Sequence, residues 1–243
     1  MTIKMKTARK YIVLLAAALP LAACGPDAND GKADAVTATP EGEVAAAPEA
    51  EKTKLNEILA IGAALPAADR KMANVDGTEH SLKDLAGDNG LLVIFSCNTC
   101  PFVIGNAKKS EGWEGRYPGI YDYAAKAGIG MALINPNEAK RESGDGMDAM
   151  KERYDAQGLK GPYLLDAGHK VADAFGALTT PHVFLFDGDM NLIYKGAIDD
   201  NVDRAEEVEQ PYLMNAIDAH LAGKTIEPNS TKQLGCSIKR VKV

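Results

Sequence analysis

The apolar segment from Gly90 to Ser96 (GLLVIFS), followed at once by Cys97-Asn98-Thr99-Cys100, constrains this chain more than any other feature. A short continuous apolar run of this kind suits a strand buried on both faces. The residues after it read as the start of a helical stretch. Two residues between the cysteines put both sulfurs within one helical turn, close enough to form a disulfide. At such a helix start, unpaired backbone N–H groups and the helix dipole favour negative charge, and the thiolate is the reactive form of cysteine. The spacing predicts that Cys97 stands exposed at the helix tip and attacks substrate, while the more buried Cys100 resolves the mixed disulfide.

The surrounding pattern is that of one α/β domain over residues 55–243. Ala67 to Val75 and Thr78 to His80 flank Asp76-Gly77, a hairpin signal. Ser81 reads as the cap of a short helix, SLKDL, closed by Gly87. A helical stretch is expected over roughly 97–126, broken or kinked by Gly112, Gly115, Pro118 and Gly119. Ile129 to Asn135 is a second buried strand. Asp145 to Ala156 reads as helix, Tyr163 to Leu165 as a short strand and His169 to Phe175 as a short helix. HVFLFD and NLIYKG form a hairpin turning at Asp187 to Met190. Val208 to Ala222 is an amphipathic helix stopped by Gly223, with Glu206, Glu207 and Glu209 as its solvated start. This alternation, ending in a hairpin and helix, describes a mixed central sheet covered on both faces.

The N-terminus reads as an export signal. Lys4, Lys6, Arg9 and Lys10 precede an apolar stretch from Tyr11 to Ala23, too short to span a bilayer. It ends Leu21-Ala22-Ala23-Cys24-Gly25, which resembles the lipobox of bacterial lipoproteins. That resemblance implies a signal peptide over 1–23, lipidation of Cys24, and anchoring to a membrane of the cell envelope through several acyl chains. Gly25 after the cysteine leans toward the outer membrane. Residues 24–54 are rich in Ala, Pro and acids, and are expected to be a disordered tether reaching roughly 30 Å. The formal net charge of -7 argues against nucleic acid as a partner.

From about Ala63 to Asn201 the chain resembles thioredoxin-like proteins of the peroxiredoxin (AhpC/TSA) superfamily, close to TlpA-type thiol:disulfide oxidoreductases. FSCNTCPFV, ALINPNE, PYLLD, LTTPHVFLFD and YKGAIDDN are similar to a bacterial redoxin group, as is the C-terminal Gly235-Cys236-Ser237-Ile238-Lys239. The resemblance implies a thioredoxin fold with an insertion, redox-active cysteines at 97 and 100, and a cis-proline at Pro181 facing them. There the backbone of Thr180 would pair with an extended substrate segment. Protein dithiols or disulfides and an upstream thiol reductant are the implied partners. Neither a cofactor nor a metal is expected.

The departures matter. Thr99 stands where the group has His, which predicts a more reducing couple. The strand before Cys97 carries no acid to accept a proton, leaving Asn135, Asn137 and His182 as candidates by position. Peroxidase chemistry is the alternative, although no register places the Pro and Thr of a peroxide site around either cysteine. A Cu(I) site built from two cysteines and His182 is a second alternative, although thioredoxin-fold copper sites space their cysteines by three residues. Cys236 has no assigned partner: it is either an inert free thiol, a third redox member or an intermolecular link.

Overall fold

A computed structural model describes residues 57–241. The leader, Cys24 and the whole of the expected tether lie outside these residues. The apolar run becomes strand β3 (Gly90–Phe95), following the short hairpin of β1 (Met72–Asn74) and β2 (Glu79–His80). Every residue of β3 is buried. It has no polar face because it is flanked on both edges and covered on both sides.

After β3 come α1 (Pro101–Ile104), α2 (Tyr117–Lys126), β4 (Ile129–Asn135), α3 (Met147–Gln157), β5 (Tyr163–Leu165) and α4 (Lys170–Ala174). Then follow β6 (Thr179–Thr180), β7 (His182–Phe186), β8 (Leu192–Gly196), α5 (Tyr212–Leu221) and β9 (Cys236–Ser237). The main sheet has the order β2-β1-β5-β4-β3-β7-β8, with β3, β4 and β5 parallel and the other pairings antiparallel. This is the thioredoxin fold expected, and β5, in the insertion between α3 and β6, extends the sheet beyond β4.

The two faces of the sheet bury different cores. Leu92, Ile94, Val183 and Leu185 point to the face covered by α2 and α5, where Ile120, Ala124, Leu213 and Ile217 meet them. Leu91, Val93, Phe184 and Phe186 point the other way, onto Val171, Ala172 and Phe175 of α4. On that second face Phe175 meets Phe95, Phe184 and Phe186 edge to face, with centroids 5.1–5.7 Å apart.

Three elements differ from the sequence expectation. The helix expected over 97–126 is two helices separated by a loop and one 3-10 turn (Glu114–Arg116). Gly105 and Gly112, both at positive φ, pack backbone against backbone, and a Cβ on Gly105 would collide with the Glu111 carbonyl. The segment after Ser81 is a single 3-10 turn (Lys83–Leu85), closed by reciprocal bonds between Ser81 and Asp84. The last helix starts at Tyr212 rather than Val208, because Pro211 disfavours helical geometry in the residue before it. The acidic residues therefore lie before the helix, in a 3-10 turn (Ala205–Glu207) and extended chain.

Beyond α5 the chain turns back across the domain. Thr231 bonds to Lys195, Tyr194 and Ala197. β9 then pairs antiparallel with β6, setting Cys236 opposite Thr180 and Ser237 opposite Thr179.

Candidate active site

The loop between β3 and α1 carries both cysteines, and neither is part of the helix. Cys100 is the N-cap of α1 and Pro101 its first residue. A proline disfavours helical geometry in the residue before it, and Cys100 is extended, with φ -88° and ψ 123°. The helix thus begins later than the spacing predicts, after the second cysteine rather than at the first. Cys97 is not at its tip and is not exposed: it is 0% accessible, and Cys100 is 3% accessible. Because α1 has only four residues, its dipole contributes little, and discrete hydrogen bonds set the charge on the sulfurs.

Those bonds favour Cys100 as the thiolate. Its Sγ is approached by the Cys97 thiol, by the Cys236 thiol and backbone N–H, and by the Phe102 N–H. The Cys236 N–H lies 3.4 Å away. Led by the Cys97 thiol, these donors outweigh burial and bring the Cys100 pKa down to about 5. Cys97 moves the opposite way, because burial disfavours its charged form and its S–H is held as a hydrogen-bond donor toward the Cys100 sulfur. Thr180 Oγ1 lies 3.0 Å from Cys97 Sγ, and the protonated Cys100 would donate to the Thr180 carbonyl at 3.1 Å. The Thr180–Pro181 peptide is cis. Cys97 and Thr180 are 83 residues apart in sequence, yet they meet with Cys100 and Pro181 at one end of the sheet.

The loop is braced by a residue the sequence reading missed. Asp145 is fully buried. Its Oδ1 accepts the Asn98 N–H at 2.7 Å and the Asn135 amide at 2.9 Å, and its Oδ2 accepts Thr99 Oγ1 at 2.7 Å and the Asn137 amide at 3.2 Å. Arg141 fixes the segment that carries Asp145, donating to the Asp145 carbonyl at 2.7 Å and the Asn135 carbonyl at 2.9 Å. Tyr163 donates to Asn98 Oδ1 at 2.9 Å. A buried acid near the cysteines thus comes from the segment before α3, but it bonds Asn98 and Thr99 rather than either sulfur. In sequence it is the first residue of the expected helix over 145–156; the helix begins at Met147 with Gly146 as its N-cap, which frees Asp145 to turn inward.

The three residues singled out as proton acceptors have other roles. Asn135 and Asn137 hold the Asp145 carboxylate. His182 projects to the opposite face of the sheet, against Phe184 at a centroid distance of 4.4 Å, and its Nδ1 accepts the Leu178 N–H at 3.4 Å. Burial brings its pKa down to about 3, so it is neutral, and it does not face the cysteines. The copper arrangement of two cysteines with His182 does not form.

A groove of about 300 Å³ runs beside the loop, lined by Asn98, Thr99, Gly144, Ala149, Glu152 and Arg153. Arg153 is held by both carboxylate oxygens of Glu114, at 2.5 and 2.6 Å. The other side of the cysteines is covered by β9.

Residues 60–210 match the family model described as Redoxin. No curated protein shows significant sequence similarity. Among solved structures, an uncharacterized conserved protein from Geobacillus kaustophilus is 27% identical with a TM-score of 0.67, the match covering 76% of this chain and 94% of that one. A hypothetical protein from Sinorhizobium meliloti 1021 is 29% identical, also with a TM-score of 0.67, over 77% of this chain and 98% of that one.

Proposed function

The chain belongs to the redoxin family, and from that premise we propose that it is a TlpA-like thiol:disulfide oxidoreductase working through Cys97 and Cys100. The observation that carries this reading is the meeting of both cysteines at the Thr180 backbone edge: Cys97 Sγ lies 3.0 Å from Thr180 Oγ1, and Cys100 Sγ lies 3.1 Å from the Thr180 carbonyl and 3.4 Å from the Cys236 N–H. The roles read from spacing are exchanged: Cys100 attacks and Cys97 resolves. The Cys100 thiolate attacks one sulfur of a partner disulfide, forming a mixed disulfide and releasing the partner's other sulfur as a thiolate. Cys97 then attacks Cys100 Sγ, closing the Cys97–Cys100 disulfide and releasing the partner's second thiol. Two electrons pass to the partner, and an upstream thiol reductant restores the pair by the reverse exchange. Burial of Cys97 keeps it a thiol until the mixed disulfide removes charge from Cys100. Thr180 and Pro181 seat the partner segment by main-chain pairing.

In this reading the 1–23 segment is a lipoprotein signal, Cys24 carries the lipid, and 24–54 tethers the domain of 55–243 in the cell envelope, with the outer membrane favoured. Export to an oxidising compartment suits a protein whose work is disulfide exchange.

Insulin disulfide reduction, driven by dithiothreitol, tests the mechanism. Cys100→Ser is expected to abolish turnover, and Cys97→Ser to accumulate mixed disulfides through Cys100. Normal turnover by Cys100→Ser would contradict the assignment. Peroxide consumption by the reduced protein far above that of free thiols would replace dithiol exchange with the peroxidase reading.

A further inference from the structure

The edge of Thr180, where a partner segment would pair, is occupied by this chain itself. β9 lies antiparallel on β6, with Cys236 opposite Thr180. The fit is close and specific. A Cβ on Gly235 would collide with the Thr180 carbonyl oxygen and stand 3.1 Å from the Pro181 nitrogen, so only glycine lets the two backbones meet there. Ile238 follows into the core beside α4, and its N–H donates to the Leu178 carbonyl at 3.0 Å. The Lys239 N–H donates to Asn137 Oδ1 at 2.9 Å, and Arg240 Nε donates to Asp173 at 2.7 Å. These bonds deliver Cys236 to the reactive sulfur. With its N–H 3.4 Å from Cys100 Sγ, its Cα is within about 5 Å of that atom, a separation a disulfide can bridge.

We propose that residues 235–240 are an internal substrate segment and that Cys236 is a third redox-active thiol, exchanging with Cys97 for the disulfide to Cys100. The inference rests on the reading of Cys97 and Cys100 as the redox pair. In the exchange, the Cys236 thiolate attacks Cys100 Sγ of the Cys97–Cys100 disulfide. The Cys236–Cys100 S–S bond forms and the Cys97–Cys100 bond breaks. Cys236 is oxidised, Cys97 leaves as a thiolate, and the proton released by Cys236 ends on Cys97. No external oxidant or reductant is consumed.

Such a step gives the protein a second oxidised state in which the tail is covalently locked over the Thr180 edge. A protein partner then has to displace the tail before it pairs, while a small thiol that needs no strand pairing is less hindered. The half-buried Cys236 is the most accessible of the three sulfurs. It is therefore the natural entry point for electrons from a small dithiol.

Non-reducing peptide mapping of the acid-quenched protein, oxidised with one equivalent of diamide, tests the proposal. In the wild type, both a Cys97–Cys100 bond closed within one peptide and a Cys100–Cys236 linked pair of peptides are expected. In Cys97→Ser, an intramolecular Cys100–Cys236 bond should form in monomeric protein, and adding Gly235→Ala should slow its closure roughly tenfold or more. A wild-type map containing Cys97–Cys100 alone, with Cys236 alkylatable and Cys97→Ser giving only intermolecular dimers, would overturn the proposal and leave the redox pair intact. A map lacking Cys97–Cys100 but containing Cys100–Cys236 would overturn the redox pair, and with it the exchange.

Discussion

Two segments enclose the sulfurs of Cys97 and Cys100, and they are held in opposite ways. The loop of residues 97–100 is fixed from the inside by one buried carboxylate. Asp145 takes four hydrogen bonds, from Asn98, Thr99, Asn135 and Asn137. The tail of residues 235–240 is fixed from the outside, by a two-residue strand pairing, a glycine contact, one buried Ile and a partly exposed ion pair. Removing the buried anchor strands several polar groups away from water, so the loop cannot open without destabilising the domain. The tail's pairing to Thr179 and Thr180 is made of main-chain bonds, which any extended segment can supply, while its remaining contacts run through Ile238, Lys239 and Arg240. The two segments thus differ in kind, one held by a buried charge and the other by backbone pairing.

The contrast can be broken most forcefully at Asp145. Asp145→Ala leaves the Asn98 N–H and two buried amides unpaired, and a loss of roughly 3 kcal/mol or more in urea unfolding is expected. A change well below about 1 kcal/mol would show that the loop is not held as described. Asp145→Asn, which keeps one acceptor oxygen, should fall between.

The next effect is on the Cys100 thiolate. Because its pKa lies at about 5, its alkylation rate should be flat from neutral pH down to about 6 and then fall tenfold per pH unit below the pKa. Cys97→Ala removes the largest donor, so the fall should move to higher pH. An unchanged profile in that variant would assign the stabilisation to the backbone N–H groups instead.

Gly235→Ala should affect the tail alone. The added Cβ prevents close pairing at Thr180, so iodoacetamide should reach Cys100 severalfold faster while the melting temperature changes by only a few degrees. A large drop in melting temperature would mean that the tail belongs to the core of the fold. The smallest effect belongs to Arg240→Ala. Its pair with Asp173 is partly exposed, at 23% and 19%, which limits its worth to about 1 kcal/mol. The same variant also loses the Arg240 bond to the Ala177 carbonyl. It should raise Cys100 accessibility in the same direction as Gly235→Ala, but less.

The fold was legible in the sequence where burial leaves a continuous apolar run. GLLVIFS, IGMALIN and HVFLFD became β3, β4 and β7, and Tyr163 to Leu165 became β5. The Asp76-Gly77 turn was legible from its chemistry. What escaped was non-local. Asn98 and Asp145 are separated by 47 positions, and a carboxylate braced by groups from other segments leaves no local period to read. The pairing of β9 with β6 spans two residues, too few to show alternation, and the glycine that permits it is explained only by what stands opposite. The expected exposure of Cys97 at a helix tip failed because the spacing alone does not say where the helix starts. Pro101 does, by making Cys100 the cap.

The proposed mechanism places the reactive thiolate on Cys100 rather than on Cys97. Site-resolved alkylation tests this most directly: the fully reduced wild-type protein is treated with limiting iodoacetamide at mildly acid pH, and the three cysteines of the domain are resolved by peptide fragmentation in the mass spectrometer, since Cys97 and Cys100 share one peptide. Cys100 should be modified well ahead of Cys97. Prior modification of Cys97, with Cys100 protected, would contradict it.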